Sequence, residues 1–247
     1  RLGVALRARP GIKHLVVASP YMLDAWQRQM LYRREVTVIP NMVPTLPVLG
    51  GRKRSKPTAI CVADASPRKN VDLLVRAFLI VRDSIPDARL QLVGFGLGPE
   101  DQLPLKMVAG GVADGIEFIG HVGRPALAEM IAAAWCLVHP SLEESFGNTL
   151  VEAMMLGTPV IGGRDSGAVP WVLDDGRAGE LVDVRSEMEV AQALIREMQS
   201  GPNAPPARAR ELLETRYSRE RIIQLHLSEY HKVILAGQRS SGCRAEL

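Results

Sequence analysis

No Asp-x-Asp triplet occurs anywhere in this 247-residue sequence. Its five histidines, His14, His121, His139, His226 and His231, show no close ligand spacing, and the nearest pair, His226 and His231, stands five positions apart. On a helix that spacing puts the two on different faces. A bound metal is therefore not expected. Cysteine is scarce: Cys61, Cys136 and Cys243 are far apart and form no metal-ligand pattern, and the first two sit in apolar runs. They read as buried thiols of a reducing cytosol. Charge of one sign is also lacking, with 30 Lys+Arg against 27 Asp+Glu and a net charge of +3. That balance gives no argument for nucleic acid as a partner. No apolar run approaches the ~18 residues of a membrane-spanning helix. No signal-peptide pattern opens the sequence, which starts at Arg1 without a Met, so a processed or cut-down chain is expected.

What is present is an apolar fraction of 47%, enough for one or two packed α/β domains. Short apolar runs alternate with helix-forming stretches. Strands are expected at 15–19, 36–41, 59–63, 89–93, 116–119, 136–139, 159–161 and 181–184. Helices are expected at 20–31, 71–82, 125–134, 149–156, 187–199, 207–215 and 219–235. This alternation predicts a doubly wound parallel sheet flanked by helices. Residues 42–57 hold three prolines, Gly50-Gly51 and the basic run Arg52-Lys53-Arg54-Ser55-Lys56. They read as a connector with a solvated basic run. The polar end, 238–247, reads as a disordered tail.

The most informative segment is Pro140-Ser141-Leu142-Glu143-Glu144-Ser145-Phe146-Gly147-Asn148-Thr149-Leu150-Val151-Glu152-Ala153-Met154. It follows an apolar strand and runs into a helix. Gly147 lets the backbone approach a ligand closely. The N–H groups of the following first helical turn favour an anion such as a diphosphate. Glu144 lies before the helix, and Glu152 lies inside it, about 7 Å further along at 1.5 Å per residue. A carboxylate there can accept from both hydroxyls of a vicinal diol. The layout matches sugar, diphosphate and ribose in turn. Arg68 and Lys69 follow the strand at 59–63, at the sheet end where open α/β folds bind ligands, and can neutralise a diphosphate. Ser145 has no His/Asp partner pattern and does not read as a nucleophile. Gly94-Phe95-Gly96-Leu97-Gly98-Pro99 is not a dinucleotide fingerprint, because Pro99 takes the place of the third glycine; it reads as a tight loop lining the cleft.

The segment from Glu144 to Met154 resembles the E-x7-E signature of retaining glycosyltransferases of the GT-B fold, family 4. Gly157-Thr158-Pro159-Val160-Ile161-Gly162-Gly163, Ser166-Gly167-Ala168-Val169-Pro170 and Gly179-Glu180-Leu181-Val182-Asp183 continue the likeness. Upstream, Val93-Gly94-Phe95-Gly96 and Phe118-Ile119-Gly120-His121-Val122 are similar to two further family blocks, so the match spans residues 36–235. The resemblance implies a Rossmann-like doubly wound sheet, the C-terminal half of a GT-B fold. It implies residues 1–41 as a remnant of an N-terminal acceptor domain, 42–57 as linker and 58–237 as the domain that binds the nucleotide-sugar donor. Glu144 would be catalytic, against the donor sugar. Ser145, Phe146 and the amides of Gly147, Asn148 and Thr149 would hold sugar and diphosphate, Glu152 the ribose, and the backbone at Val122 the nucleobase. Arg68 and Lys69 would serve the leaving diphosphate. The family has an Arg where Ala63 and Asp64 stand here, and whether Arg68 replaces it stays open at this point.

The implied reaction is transfer of a hexose, with retention, from a donor such as a UDP- or GDP-hexose to a glycan or lipid-linked acceptor. It would need no metal and no further cofactor, and the chain would be inactive without the missing domain. The implied setting is cytoplasmic, with peripheral contact at the inner face of a membrane. Two alternatives stay open: a sugar-nucleotide epimerase or hydrolase of GT-B fold, and a non-catalytic nucleotide-sugar-binding module.

Overall fold

The computed structural model describes residues 14–28, 35–44, 53–111 and 114–242, with side chains to residue 235. Residues 1–13 of the expected remnant, 45–52 of the connector and 243–247 of the tail lie outside the described residues. The chain divides into two compact units, one of residues 1–43 with 214–247 and one of residues 44–213. The sequence had drawn a single domain from 58 to 237.

In the first unit β1 (His14–Val17) and β2 (Glu35–Val38) pair in parallel, with α1 (Pro20–Arg28) between them in the chain. A helix spanning 219–242 belongs to the same unit and runs five residues into the segment that the sequence read as a disordered tail. Its Glu229 is buried and accepts hydrogen bonds from Thr37 Oγ1 at 3.1 Å and from Lys232 Nζ at 2.6 Å. His14 Nε2 lies 3.0 Å from the same carboxylate, so one buried acid ties this helix to both strands.

The second unit is a six-stranded sheet, all parallel. Its strands are β3 (Thr58–Val62), β4 (Arg89–Val93), β5 (Ile116–Gly120), β6 (Cys136–His139), β7 (Val160–Gly163) and β8 (Glu180–Val182), in the order β5-β4-β3-β6-β7-β8. The order runs outward from β3 in both directions, the doubly wound arrangement with its reversal between β3 and β6. The central strands are apolar because both faces are covered: all four residues of β6, and Ala59, Ile60 and Cys61 of β3, are buried. Cys61 and Cys136 are fully buried, and burial pushes the Cys61 thiol up to about 12.

Helices α2 (Val71–Ser84), α3 (Gln102–Ala109), α4 (Arg124–Ala133), α5 (Asn148–Met155), α6 (Val169–Val172), α7 (Glu187–Gln199) and α8 (Ala207–Thr215) connect and flank these strands; the helix at 219–242 is α9. α2 packs on α7 over a core of Leu74, Phe78, Val81, Val190 and Leu194. The sequence reading missed α3 and α6. α3 carries a proline within it and α6 is a single turn opened by Val169-Pro170, so neither shows a sustained helical period. The connector differs too. Arg54, Ser55 and Lys56 are exposed, but Lys53 is half-buried and donates to Ala134 O at 2.6 Å and Thr158 Oγ1 at 3.2 Å, at the carbonyl end of α4, and Trp135 Nε1 donates to Arg54 O at 2.7 Å. A cation there complements the negative end of the helix. Among the described residues no helix is long and apolar enough to cross a membrane.

One backbone approach fixes the ligand end of the sheet. Gly94, just after β4, has φ +141°, and a Cβ there would stand 1.7 Å from the carbonyl oxygen of Ala63, just after β3. Gly94→Ala is expected to destabilise the protein by at least about 3 kcal/mol, since backbone rather than a flexible side chain must yield. Urea unfolding followed by circular dichroism measures it; a midpoint equal to that of the unaltered protein would refute the close approach.

Candidate functional site

The loops that leave β3 and β6 lie on either side of the strand-order reversal, and each brings charge to it. After β3, Asp64 Oδ1 accepts from the Ser66 N–H at 2.8 Å, closing a side-chain turn. A single 3₁₀ turn, Pro67–Lys69, follows and carries the two cations. Asn70 then adopts a left-handed conformation, φ 55°, and its Nδ2 donates to Val184 O at 2.7 Å, which fixes the entry to α2.

After β6 the chain delivers Glu144, which is 7% exposed. Lys69 Nζ donates to Glu144 Oε1 at 2.6 Å, Arg68 Nη1 lies 3.5 Å from the same oxygen, and His139 Nε2 lies 3.2 Å from it. An ionised carboxylate can only accept, so the proton between His139 and Glu144 sits on Nε2. Arg68 also donates to Glu143 O at 2.8 Å, and the Ala168 N–H donates to Glu144 O at 2.9 Å. Burial pushes the Glu144 carboxyl up. The hydrogen bond and charge of His139, with those of Lys69, outweigh it and hold the group well below the usual carboxylate range.

Gly147 then takes φ +90° and opens α5, where a Cβ would meet Leu150 Cδ1 at 2.9 Å. Ser145 and Asn148 are exposed and Thr149 half-buried, so the first turn of α5 reaches solvent. Phe146 is different. Its ring is buried, 1% exposed, edge-on to Trp171 with centroids 6.2 Å apart. The resemblance placed Phe146 among donor-binding residues; its ring packs inside, which leaves its backbone to line the loop before α5. Glu152, one turn further along α5, is half-buried and Arg124 Nη2 lies 3.3 Å from its Oε1. Burial pushes the Glu152 carboxyl up, with Arg124 opposing. Val122 lies in the loop between β5 and α4, half-buried. Beside it the exposed rings of His121 and Phe95 stack, 4.0 Å apart and 10° from parallel.

The structure thus gathers Arg68, Lys69 and Glu144 into one cluster at the mouth of α5 and sets Glu152 on the helix behind it. Two partners were missed. In sequence His139 enters only among the candidate metal ligands, although its place at the end of an apolar strand, five residues before Glu144, is a signal for a site residue. Arg124 opens α4, and nothing in a linear pattern ties it to Glu152. Among the described residues no group of three or more His, Cys, Asp or Glu side chains is gathered to hold a metal.

Fold and site together define a doubly wound α/β domain with two cations, a buried carboxylate and a helix N-terminus at the switch point. The family model described as Glycosyl transferases group 1 matches residues 56–200, more than half of the chain, and the chain belongs to that family. Among its relatives is the phosphatidyl-myo-inositol mannosyltransferase of Mycobacterium leprae, 34% identical over 186 residues that make up 72% of this chain and 48% of that protein. Another is the D-inositol 3-phosphate glycosyltransferase of Streptomyces coelicolor, 34% identical over 148 residues, 57% of this chain and 32% of that protein. The chain therefore spans about half or less of the length of these relatives. In fold it is similar to Anabaena HepE, whose structure was solved with UDP and glucose: TM-score 0.73 at 20% identity, covering 94% of this chain and 66% of that one.

Glu144 sets an acid dependence. Its pKa is depressed on folding, so its stabilisation is fully present above the unfolded value and is lost as pH falls toward the folded one. Between about pH 6 and pH 3, the unaltered protein should lose more stability than Glu144→Gln. Denaturant midpoints across that range check this; parallel losses would show that folding does not lower the Glu144 pKa.

Proposed function

We propose that this chain is the donor-binding half of a retaining hexosyltransferase, which moves a sugar from a nucleotide-sugar such as a UDP- or GDP-hexose to a glycan or lipid-linked acceptor. The observation that carries this reading is the Lys69–Glu144–His139 cluster at the solvent-reaching N-terminus of α5, with Glu152 further along the same helix. The N–H groups of Gly147, Asn148 and Thr149 receive the diphosphate and a sugar hydroxyl, and Arg68 and Lys69 neutralise the charge that grows on the diphosphate as the sugar's C1–O bond breaks. Ser145 and the backbone at Phe146 complete that cradle. Glu144 stands beside the sugar ring, where an ionised carboxylate stabilises positive charge developing at C1. Lys69 is then shared between Glu144 and the leaving group, so the cation and the carboxylate act as one unit. Glu152 takes the ribose hydroxyls, and the backbone at Val122 borders the nucleobase beside the Phe95–His121 pair.

In this reading cations and a helix terminus do the work of charge neutralisation, and no metal or further cofactor takes part. The relatives, an inositol-phosphate glycosyltransferase and a phosphatidyl-inositol mannosyltransferase, favour an inositol-containing or lipid-linked acceptor. That acceptor binds to the part of the enzyme that precedes this domain, in the cytoplasm or at the inner face of a membrane.

Calorimetric titration with UDP and GDP in excess EDTA tests the reading, and binding is expected without added metal. Glu152→Ala should weaken nucleotide binding by about 1–3 kcal/mol, the scale of charge-assisted hydrogen bonds. Glu144→Ala should leave free-nucleotide affinity unchanged or raised, because Lys69 loses its competitor. Equal losses in both variants, or binding that appears only with Mg²⁺ or Mn²⁺, would overturn the assignment. The chain by itself should bind donor yet transfer nothing to a pooled lipid and oligosaccharide acceptor mixture; turnover there would place the acceptor site on this chain.

A further inference from the structure

Glu152 is anchored from outside its own helix. Arg124 is the first residue of α4, and its Nη2 reaches Oε1 of Glu152 in α5, 3.3 Å away. The two partners differ in exposure: the Glu152 side chain is 12% exposed and that of Arg124 59%. An ion pair with one partner this open adds little to stability. Its value has to be sought in what it does to the carboxylate.

A glutamate on a helix turns about three side-chain bonds, and fixing them at the moment of binding costs entropy. Here one oxygen is already held. A carboxylate offers about four acceptor positions, so a single guanidinium donor leaves enough for two hydroxyls. We infer that Arg124 is a positioning residue for ribose recognition: by holding Oε1 it fixes the plane of the Glu152 carboxylate, and so sets how strongly the site distinguishes a ribose from a sugar lacking its vicinal hydroxyls. This rests on the reading that Glu152 takes the ribose.

Charge works in the same direction. Burial favours the protonated form of Glu152, which can accept less well from two hydroxyls, and the Arg124 guanidinium opposes it. Arg124, on α4, is the charged group whose field acts on Glu152. Arg68, Lys69, Glu144 and His139, on the β3 and β6 loops, are engaged with one another. Affinity for a ribonucleotide is lost as pH falls through the Glu152 pKa, and removing the cation moves that loss to higher pH.

The experiment titrates the chain with UDP and GDP and with their 2′,3′-dideoxy counterparts, for the unaltered protein and for Arg124→Ala, Arg124→Gln and Arg124→Lys, each first shown by thermal melting to be folded. The Ala and Gln variants should lose about three- to tenfold in affinity for the ribonucleotide and less than about twofold for the dideoxy form, the range for one partly exposed charged contact. Their acid limb of binding should move up in pH, and Lys, which keeps the charge without the planar fork, should recover part of the loss. Unchanged discrimination in the Ala and Gln variants, or equal losses on both nucleotides, would overturn the inference and leave the ribose role of Glu152 standing. An unaltered protein that fails to distinguish the two nucleotides would overturn that role and this inference with it.

Discussion

Lys69 and Glu144 lie 75 positions apart in the chain and 2.6 Å apart in space, and the arrangement of the site depends on that contact. A buried carboxylate without a partner is costly enough to be protonated or expelled. Held by Lys69 and His139, Glu144 stays ionised where the loop from β6 turns toward α5. The loop from β3 has to come to it, because the cation sits on a 3₁₀ turn that Asp64 and Asn70 hold at both ends. The strand order makes this possible: β3 and β6 are neighbours in the sheet, and their following connections diverge to leave a crevice.

In the proposed reading the same contact tempers the site's attraction for anions. Two cations and a helix terminus would attract any phosphate. With Glu144 among them, part of the positive charge is already met, and a ligand has to offer more than charge. In the proposed reading the further contacts are spread along α5 and the loop after β5: the first-turn amides, then Glu152, then the surface beside Val122. A ligand as long as a nucleoside diphosphate with a sugar can use them together.

Much of this was legible in the sequence. Strands β4 and β6 and helices α7 and α8 were placed to the residue, because apolar runs of four or five residues between turn signals and long amphipathic periods leave little choice. Arg68, Lys69, Glu144 and Glu152 were singled out, and three of them meet. What a linear pattern does not carry is which side chain faces which across the crevice. His139 reads in sequence as the last residue of an apolar strand, and Arg124 as an ordinary helix start. Phe146 sits inside the signature yet points inward, since one residue's turn at Gly147 decides which side of the loop each side chain takes. Lys53 looked solvated within a basic run, and only the fold brings two helix ends within its reach.

The pairing of β3 with β6 also has a consequence for how the chain reaches its native state. Ala59 meets Cys136 and Ile60 meets Leu137, so the centre of the sheet closes only when two distant halves of the domain come together. Closing so long a loop is entropically costly and makes such pairings late and slow. The β3-β4-β5 side can assemble from its own neighbours, as can β6-β7-β8, but the crevice belongs to neither. A half-folded chain therefore holds cations without their carboxylate, or the carboxylate without its cations. The Lys69–Glu144 contact and the completed sheet arise in a single event.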